Sequence, residues 1–453
     1  MTAPQHIAVI DIGKTNVKLA LVDLATRAEV AVTTRANTVL PGPPYPHFDT
    51  DGHWAFLLDA LARFQRDHGI DAISITTHGA CAALLAADGT LAAPVLDYEH
   101  PGPDTLRADY DAIRPPFAET GSARLPMGLN VGAQLFWQFQ TDPDLLPRVA
   151  HLVTWPQYWA HRLTGIAATD VTSLGCHTDL WNPYAGRPSA LVQTLGLTGR
   201  IAPARRSGDL LGTILPALAA QTGLRPGTPV ACGIHDSNAS LLPHLLDRSG
   251  PFSVVSTGTW VVVMTMNGAP VTLNPDRDTL VNVNALGQPV PSARFMGGRE
   301  YELIRAGKPP LATTADADSV LTQGFMLLPS VQTGSGPFPN HPMRWHPAEP
   351  TADAAREVSL GWYLALMTAE CLAITGALGP AIIEGPFARN PFFRDMLAAA
   401  TGRAVLASPS QTGTAVGAAL LFAQGAVAPV PLAETVPADP RLVAYARDWR
   451  ARV

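Results

Sequence analysis

Two α/β domains are the fold the sequence predicts, and three observations predict it. The chain has 453 residues, more than one ordinary core organises. An apolar run, a glycine-bearing turn and a second apolar run occur at 7–22 and again at 252–264. That return after roughly 240 residues suggests two halves of related architecture. Short β-rich runs also alternate with helical periodicity along both halves. The expected division is an N-terminal domain at 1–244 and a C-terminal domain at 245–453.

The elements follow in order. In the first hairpin, 7–10 and 17–22 are the apolar arms and Asp11 to Asn16 the turn. A Rossmann opening would need G-x-G-x-x-G here, and that pattern is absent. A second β-rich run, 71–77, ends in Thr76-Thr77-His78-Gly79. The polar, Pro-rich stretches 41–46 and 97–116 predict loops with little regular structure. A short buried helix is expected at 155–163, with Pro156 tolerated in its first turn. A strand at 229–233 runs into Ile234-His235-Asp236-Ser237. In the second hairpin, 252–256 and 260–264 flank Thr257-Gly258-Thr259. A long helix fills 351–376, followed by a strand at 381–384 and a loop at 385–389. Asn390 and Pro391 then supply an N-cap and a first helical residue, and Gly402 the stop. A last Ala/Gly-rich helix is expected at 412–424, before a Pro-rich connection at 427–440.

Composition narrows the function classes. The chain is 47% hydrophobic and 15% charged, ample for burial and unlike a disordered segment. Its formal net charge is −6 and no basic run is present, which argues against a nucleic-acid partner. Anionic small molecules stay compatible, because backbone N–H groups can build a local anion site. Cys81, Cys176, Cys232 and Cys371 match no zinc or disulfide spacing and suit a reducing cytoplasm. The start shows no basic region followed by a long apolar run, and apolar stretches break well short of 18 residues. Neither a signal peptide nor a membrane span is therefore expected.

Four segments can carry chemistry. A hairpin tip such as Asp11-Ile12-Gly13-Lys14-Thr15-Asn16 can aim N–H groups and side-chain donors at phosphate, with Asp11 beside it for Mg²⁺. An ordinary turn uses the same residue types. Thr257-Gly258-Thr259 allows a second set of phosphate donors. Asp236, just after a strand, could take the proton of an attacking hydroxyl or simply cap the following helix. His235, Asp236 and Ser237 form no hydrolase triad, since sequence neighbours point apart. His78 could donate to a sugar hydroxyl or be a satisfied structural histidine. Asp97, Tyr98, Glu99 and His100 suit a polyol or a solvated surface. Gly385 to Asn390 could pass under an adenine ring, with Asn390 bonding the base, capping its helix, or both.

In this order the segments resemble the FGGY carbohydrate kinases over nearly the whole chain, from Ile7 to about Ala423. Asp11-Ile12-Gly13-Lys14-Thr15-Asn16 is similar to the first phosphate motif of the fuculokinase and rhamnulokinase branch. Gly233-Ile234-His235-Asp236-Ser237 is similar to the catalytic-aspartate segment, and Ser256-Thr257-Gly258-Thr259-Trp260 to the second phosphate motif. The resemblance implies two actin-like, ribonuclease H-like ATPase domains with an interdomain cleft. It implies Asp236 as base, Asp11 and Asp236 on Mg²⁺, and Gly13, Lys14, Thr15, Asn16, Thr257, Gly258 and Thr259 on phosphate. Gly385, Pro386, Phe387 and Asn390 would take adenosine, and His78, Gly79, Asp97 and Asp236 the sugar. ATP with Mg²⁺ is the implied donor, and a 6-deoxyketohexose such as L-fuculose or L-rhamnulose the acceptor. A pentulose or other polyol is the alternative, and a non-catalytic nucleotide- and sugar-binding regulator a second. A homodimer is left open as the assembly state. Two departures stand out. Gly385-Pro386-Phe387 replaces the three glycines usual in relatives, and 293–300 differs from the Asn-containing stretch of rhamnulokinase-like members.

Overall fold

Apolar residues at the N-terminus build β1 (His6–Ile12) and β2 (Asn16–Asp23), paired antiparallel from His6–Asp23 to Ile12–Val17. The computed structural model describes residues 4–305, 307, 311–408, 413–423, 432–437 and 439–453. The chain divides into two compact units. The first holds Met1–Asp247, Val281–Pro289 and Thr412–Val427, and the second Arg248–Leu280, Val290–Gln411 and Ala428–Val453. By contacts, the chain thus returns to its first unit twice after Asp247.

In the first unit β3 (Ala28–Ala36) continues the antiparallel hairpin, while β4 (Ala72–Thr77) pairs parallel with β1. With β5 (Leu210–Thr213) and β6 (Pro229–Ala231) the order is β5-β6-β4-β1-β2-β3, and β7 (Ile234–His235) also pairs parallel with β4. Central strands covered on both faces carry near-continuous apolar runs, as Ile7 to Ile10 do. One face packs on α1 (Thr50–His68) and α2 (Trp155–Thr164) through Leu57, Leu61, Phe64, Trp155 and Trp159. The other face meets α3 (Asp236–Asp247) and the helix Thr414–Ala419.

That last helix explains one of the two returns. A Cβ at Gly417 would lie 1.9 Å from the Ala239 carbonyl oxygen, so only a small-residue helix approaches this closely. Ser74 Oγ donates to the Ala418 carbonyl at 2.7 Å, fixing the contact. The helix is shorter than expected, and Thr412, Gln424 and residues 427–431 and 438 of the expected connection lie outside the described residues. The expected loop at 97–116 contains a helix, Arg107–Ile113. Long-range contacts hold it, with Tyr110 buried and donating to Asp179 at 2.6 Å, and Arg124 reaching Asp104 and Asp111.

The second unit repeats the plan. β8 (Phe252–Thr257) and β9 (Val261–Met266) form the hairpin, and β12 (Ala381–Glu384) pairs parallel with β8, as β4 does with β1. With β10 (Thr279–Val283), β11 (Pro289–Phe295), β13 (Val405–Ala407) and β14 (Ala433–Thr435) the order is β10-β11-β9-β8-β12-β13-β14. Helices α4 (Gly297–Ile304), α5 (Asp353–Ile374) and α6 (Pro391–Thr401) complete what positions the site. An 18-residue window of α5 has mean hydropathy 1.3, enough by composition to cross a membrane, yet 78% of it is buried. Its apolar surface packs the core of this unit through Val358, Trp362, Tyr363, Leu364 and Met367. The start of α6 is as expected, with Asn390 Oδ1 accepting from the Phe393 N–H at 3.2 Å and Pro391 in the first turn.

Candidate functional site

Three parallel strands in the first unit gather residues that lie far apart in sequence. The registers Ile12–Thr77 and His235–Thr77 put Ile12, Thr77 and His235 in one row across β1, β4 and β7. The next residues off the carboxyl ends are therefore Gly13, His78 and Asp236. With strands spaced roughly 4.8 Å apart, their backbones stand within about 10 Å of one another. The crevice beyond the carboxyl ends of such strands is where open α/β sheets hold ligands.

Asp236 opens α3 with its side chain 32% exposed. Its Oδ1 accepts from the Ser237 N–H at 2.6 Å and lies 3.4 Å from His235 Nε2, leaving the carboxylate reachable by a ligand. Asp11 sits deeper, accepting from Thr414 Oγ1 at 2.6 Å and facing Lys18 Nζ at 3.3 Å. Burial raises its pKa, Thr414 and Lys18 pull it back, and the Asp236 carboxylate adds an upward push. Two carboxylates in one field fit Mg²⁺, which takes one or two carboxylates and completes its shell with water and phosphate oxygen. Among the described residues no group of three or more His, Cys, Asp or Glu forms a metal cage.

His235 Nε2 is also 3.4 Å from Cys176 Sγ. Burial disfavours charge on both, yet His177 and then His235 lower the Cys176 pKa, while Cys176 and then Asp236 raise that of His235. Gly79 makes room for this pair, since a Cβ there would meet His235 Nε2 at 2.6 Å. The structure thus gives Gly79 a packing reason.

His78 differs from expectation in its sense. Its Nδ1 is 2.8 Å from the Gly79 carbonyl, which can only accept, so Nδ1 carries the proton. Burial lowers its pKa and keeps the ring neutral, leaving Nε2 a buried lone pair with no hydrogen-bond partner among the described residues. The expected donor is an acceptor. Phe48, Tyr98 and Trp155 surround the ring at centroid distances of 5.3, 5.5 and 6.4 Å.

Lys14 and Asp97, expected on phosphate and sugar, bind each other. The ammonium contacts the Asp97 carboxylate, lies 3.2 Å from Glu99 Oε2 and sits 4.7 Å above the Tyr98 ring. The carboxylate pair and the aromatic face draw the lysine away from the hairpin tip. Gly13 N–H closes the turn on Asn16 O at 2.9 Å, and Thr15 and Asn16 are exposed at the tip.

The second unit brings two predicted segments together. Gly258, Thr259, Pro386, Phe387 and Asn390 line one pocket of about 540 Å³. Gly298, Arg299, Tyr301 and Glu302 of α4 complete its lining. Sequence reasoning missed these four; the signal available was the Gly297-Gly298 pair ahead of a helix in the stretch that departs from relatives. Thr257 was expected on phosphate, but its hydroxyl turns inward, donating to the Glu384 carbonyl at 2.5 Å and accepting from the Phe387 N–H at 3.2 Å. It thereby ties the hairpin turn to the 385–387 loop. Gly385 has φ +86°, and a Cβ there would stand 2.1 Å from the Thr257 carbonyl oxygen. Gly298 is equally constrained, 2.1 Å from the Gly258 carbonyl oxygen. Asn390 caps α6 through its oxygen, which leaves its amide N–H groups for a ligand.

Comparison with known proteins bears on the family and the fold. Residues 6–243 match the N-terminal domain of the FGGY family of carbohydrate kinases, and residues 249–429 match the C-terminal domain of carbohydrate kinase FGGY. L-fuculokinase of Escherichia coli (strain K12) is 27% identical over 277 residues, covering 57% of this chain and 56% of that protein. The chain thus spans little more than half the length of the curated relatives it matches. Its fold superposes on the crystal structure of a carbohydrate kinase from Novosphingobium aromaticivorans with a TM-score of 0.92 and 39% identity, covering 98% of this chain and 100% of that one. Xylulose kinase from Rhodospirillum rubrum shares the fold at a TM-score of 0.79 and 21% identity, over 99% and 98% of the two chains.

Proposed function

The chain belongs to the FGGY family of carbohydrate kinases, and on that premise we propose that it transfers the γ-phosphoryl group of ATP to a ketose hydroxyl, with Asp236 as general base. The observation that carries the reading is the row of strand ends presenting Gly13, His78 and Asp236 side by side, with the Asp11 carboxylate beneath. Asp236 removes the proton as the sugar oxygen bonds to the γ-phosphorus, and the bridging oxygen leaves with ADP. His78 Nε2 accepts a hydrogen bond from a second hydroxyl and orients the ring. Asp11 and Asp236 are the residues that would hold Mg²⁺, whose charge would offset that of the phosphates. The pocket bounded by Gly258, Gly298 and Asn390 accepts the nucleotide, its glycines allowing backbone close to the ligand.

The acceptor proposed is a 6-deoxyketohexose of the L-fuculose or L-rhamnulose type. The similarity to a protein called L-fuculokinase favours it, and so do the Phe48, Tyr98 and Trp155 rings around His78, which suit a methyl beside hydroxyls. A coupled ADP-release assay over deoxyketohexoses, pentuloses and polyols tests the substrate. In the variant Asp236→Asn, turnover should fall by roughly 10²- to 10⁴-fold with ADP affinity retained. Full activity in that variant would discard the assigned base, and no turnover with any sugar would leave a binding regulator.

A further inference from the structure

Arg299 has no part in the expected phosphate machinery, yet it stands in the nucleotide pocket beside the second hairpin turn. It lies in the first turn of α4, where its N–H is 3.4 Å from the Thr259 carbonyl. The preceding Gly298 is pressed against the Gly258 carbonyl, so the start of α4 and the Thr257–Thr259 turn act as one backbone unit. Helical side chains lean toward their own N-terminus, which tilts Arg299 toward Gly258 and Thr259.

Three other polar side chains lining the pocket are engaged, Asn390 through its oxygen alone. Tyr301 Oη donates to Glu357 at 2.9 Å, Glu302 pairs with Arg305 at 2.7 Å, and Asn390 caps α6. Arg299 is exposed at the pocket, and its guanidinium makes no hydrogen bond or ion pair among the described residues, so it is open to a ligand there. A cation in a helix's first turn also opposes the helix dipole, so stability offers no reason for it there. Neighbouring Glu300 gives no charge compensation, since it is buried inward on Tyr363 and the Gln332 N–H.

We propose that Arg299 is a nucleotide-specific phosphate ligand, pairing its guanidinium with the polyphosphate of the donor. A planar guanidinium pairs with phosphate in bidentate fashion, which an ammonium does not reproduce. In this chain it supplies cationic charge that Lys14, turned onto Asp97, does not. The inference rests on the nucleotide reading of the pocket, and the test separates the two.

Calorimetric titration of adenosine and of ADP into the wild-type chain, Arg299→Gln and Arg299→Lys provides that test. The expected result is ADP affinity reduced at least tenfold in Arg299→Gln, partly restored in Arg299→Lys, with adenosine affinity unchanged in both. In turnover, the KM for ATP should rise while that for sugar holds. Equal loss for adenosine and ADP would overturn the phosphate role, as would no loss for either. If the wild-type chain binds neither ligand, the nucleotide reading itself falls. Unchanged thermal unfolding of both variants shows that the fold is intact.

Discussion

Glu300 is fully buried in the second unit, next to Arg299 and Tyr301 on the helix that lines the pocket proposed for nucleotide. Burial raises its pKa from 4.5 to about 7, against the opposing pull of the Gln332 N–H and the Tyr363 hydroxyl, each 3.0 Å away. Below the ordinary carboxyl pKa both folded and unfolded states hold the proton, and burial costs nothing extra. As pH rises from there the unfolded chain releases the proton while the native one keeps it, so stability falls. The loss is complete once the native carboxyl ionises too, and amounts to about 3 kcal/mol over the full window. Glu300→Gln keeps the shape and removes the charge. Denaturant unfolding of both proteins at pH 5 and pH 8 isolates the effect, because other titrating groups cancel in the double difference. The variant should retain about 2–3 kcal/mol more of its pH 5 stability at pH 8 than the wild type does. A double difference near zero would refute a neutral, buried Glu300 as the anchor of α4.

Three further outcomes follow from the geometry. Gly298→Ala would place a Cβ 2.1 Å from the Gly258 carbonyl oxygen, a backbone clash expected to cost about 1–3 kcal/mol and to weaken ADP binding in titration. Lys14→Met should raise the KM for sugar more than that for ATP, since the ammonium engages Asp97 and Glu99; the reverse split would return Lys14 to the phosphates. Asp11→Asn should shift the Mg²⁺ concentration giving half-maximal rate upward, and an unchanged Mg²⁺ dependence would remove Asp11 from the metal.

Much of the site was legible because its motifs are local. The hairpin at Asp11 to Asn16, the strand before His78, the segment before Asp236 and the Asn390-Pro391 helix start each follow from a few adjacent residues. Their backbone geometry depends little on distant parts of the chain. What those residues do with their side chains was less legible. Lys14 lay beside the expected phosphate turn in sequence, and only folding brought Asp97, Tyr98 and Glu99 to it. The protonation of His78 depends on which ring nitrogen meets the Gly79 carbonyl, and Thr257 Oγ1 faces away from the pocket because Glu384 offers it a carbonyl.

The sequence by itself determined the doubled hairpin plan, the strand ends that carry Asp11, His78 and Asp236, and the loop after β12. Tertiary structure decided that the helix Thr414–Ala419 belongs to the first unit, that α4 walls the pocket of the second, and that Glu300 is buried beside it. Local conformation is set by torsional preference and apolar spacing, which a short stretch of chain contains. Burial, ion pairing and proton affinity depend on partners tens to hundreds of residues away, and those appear only when the chain closes on itself.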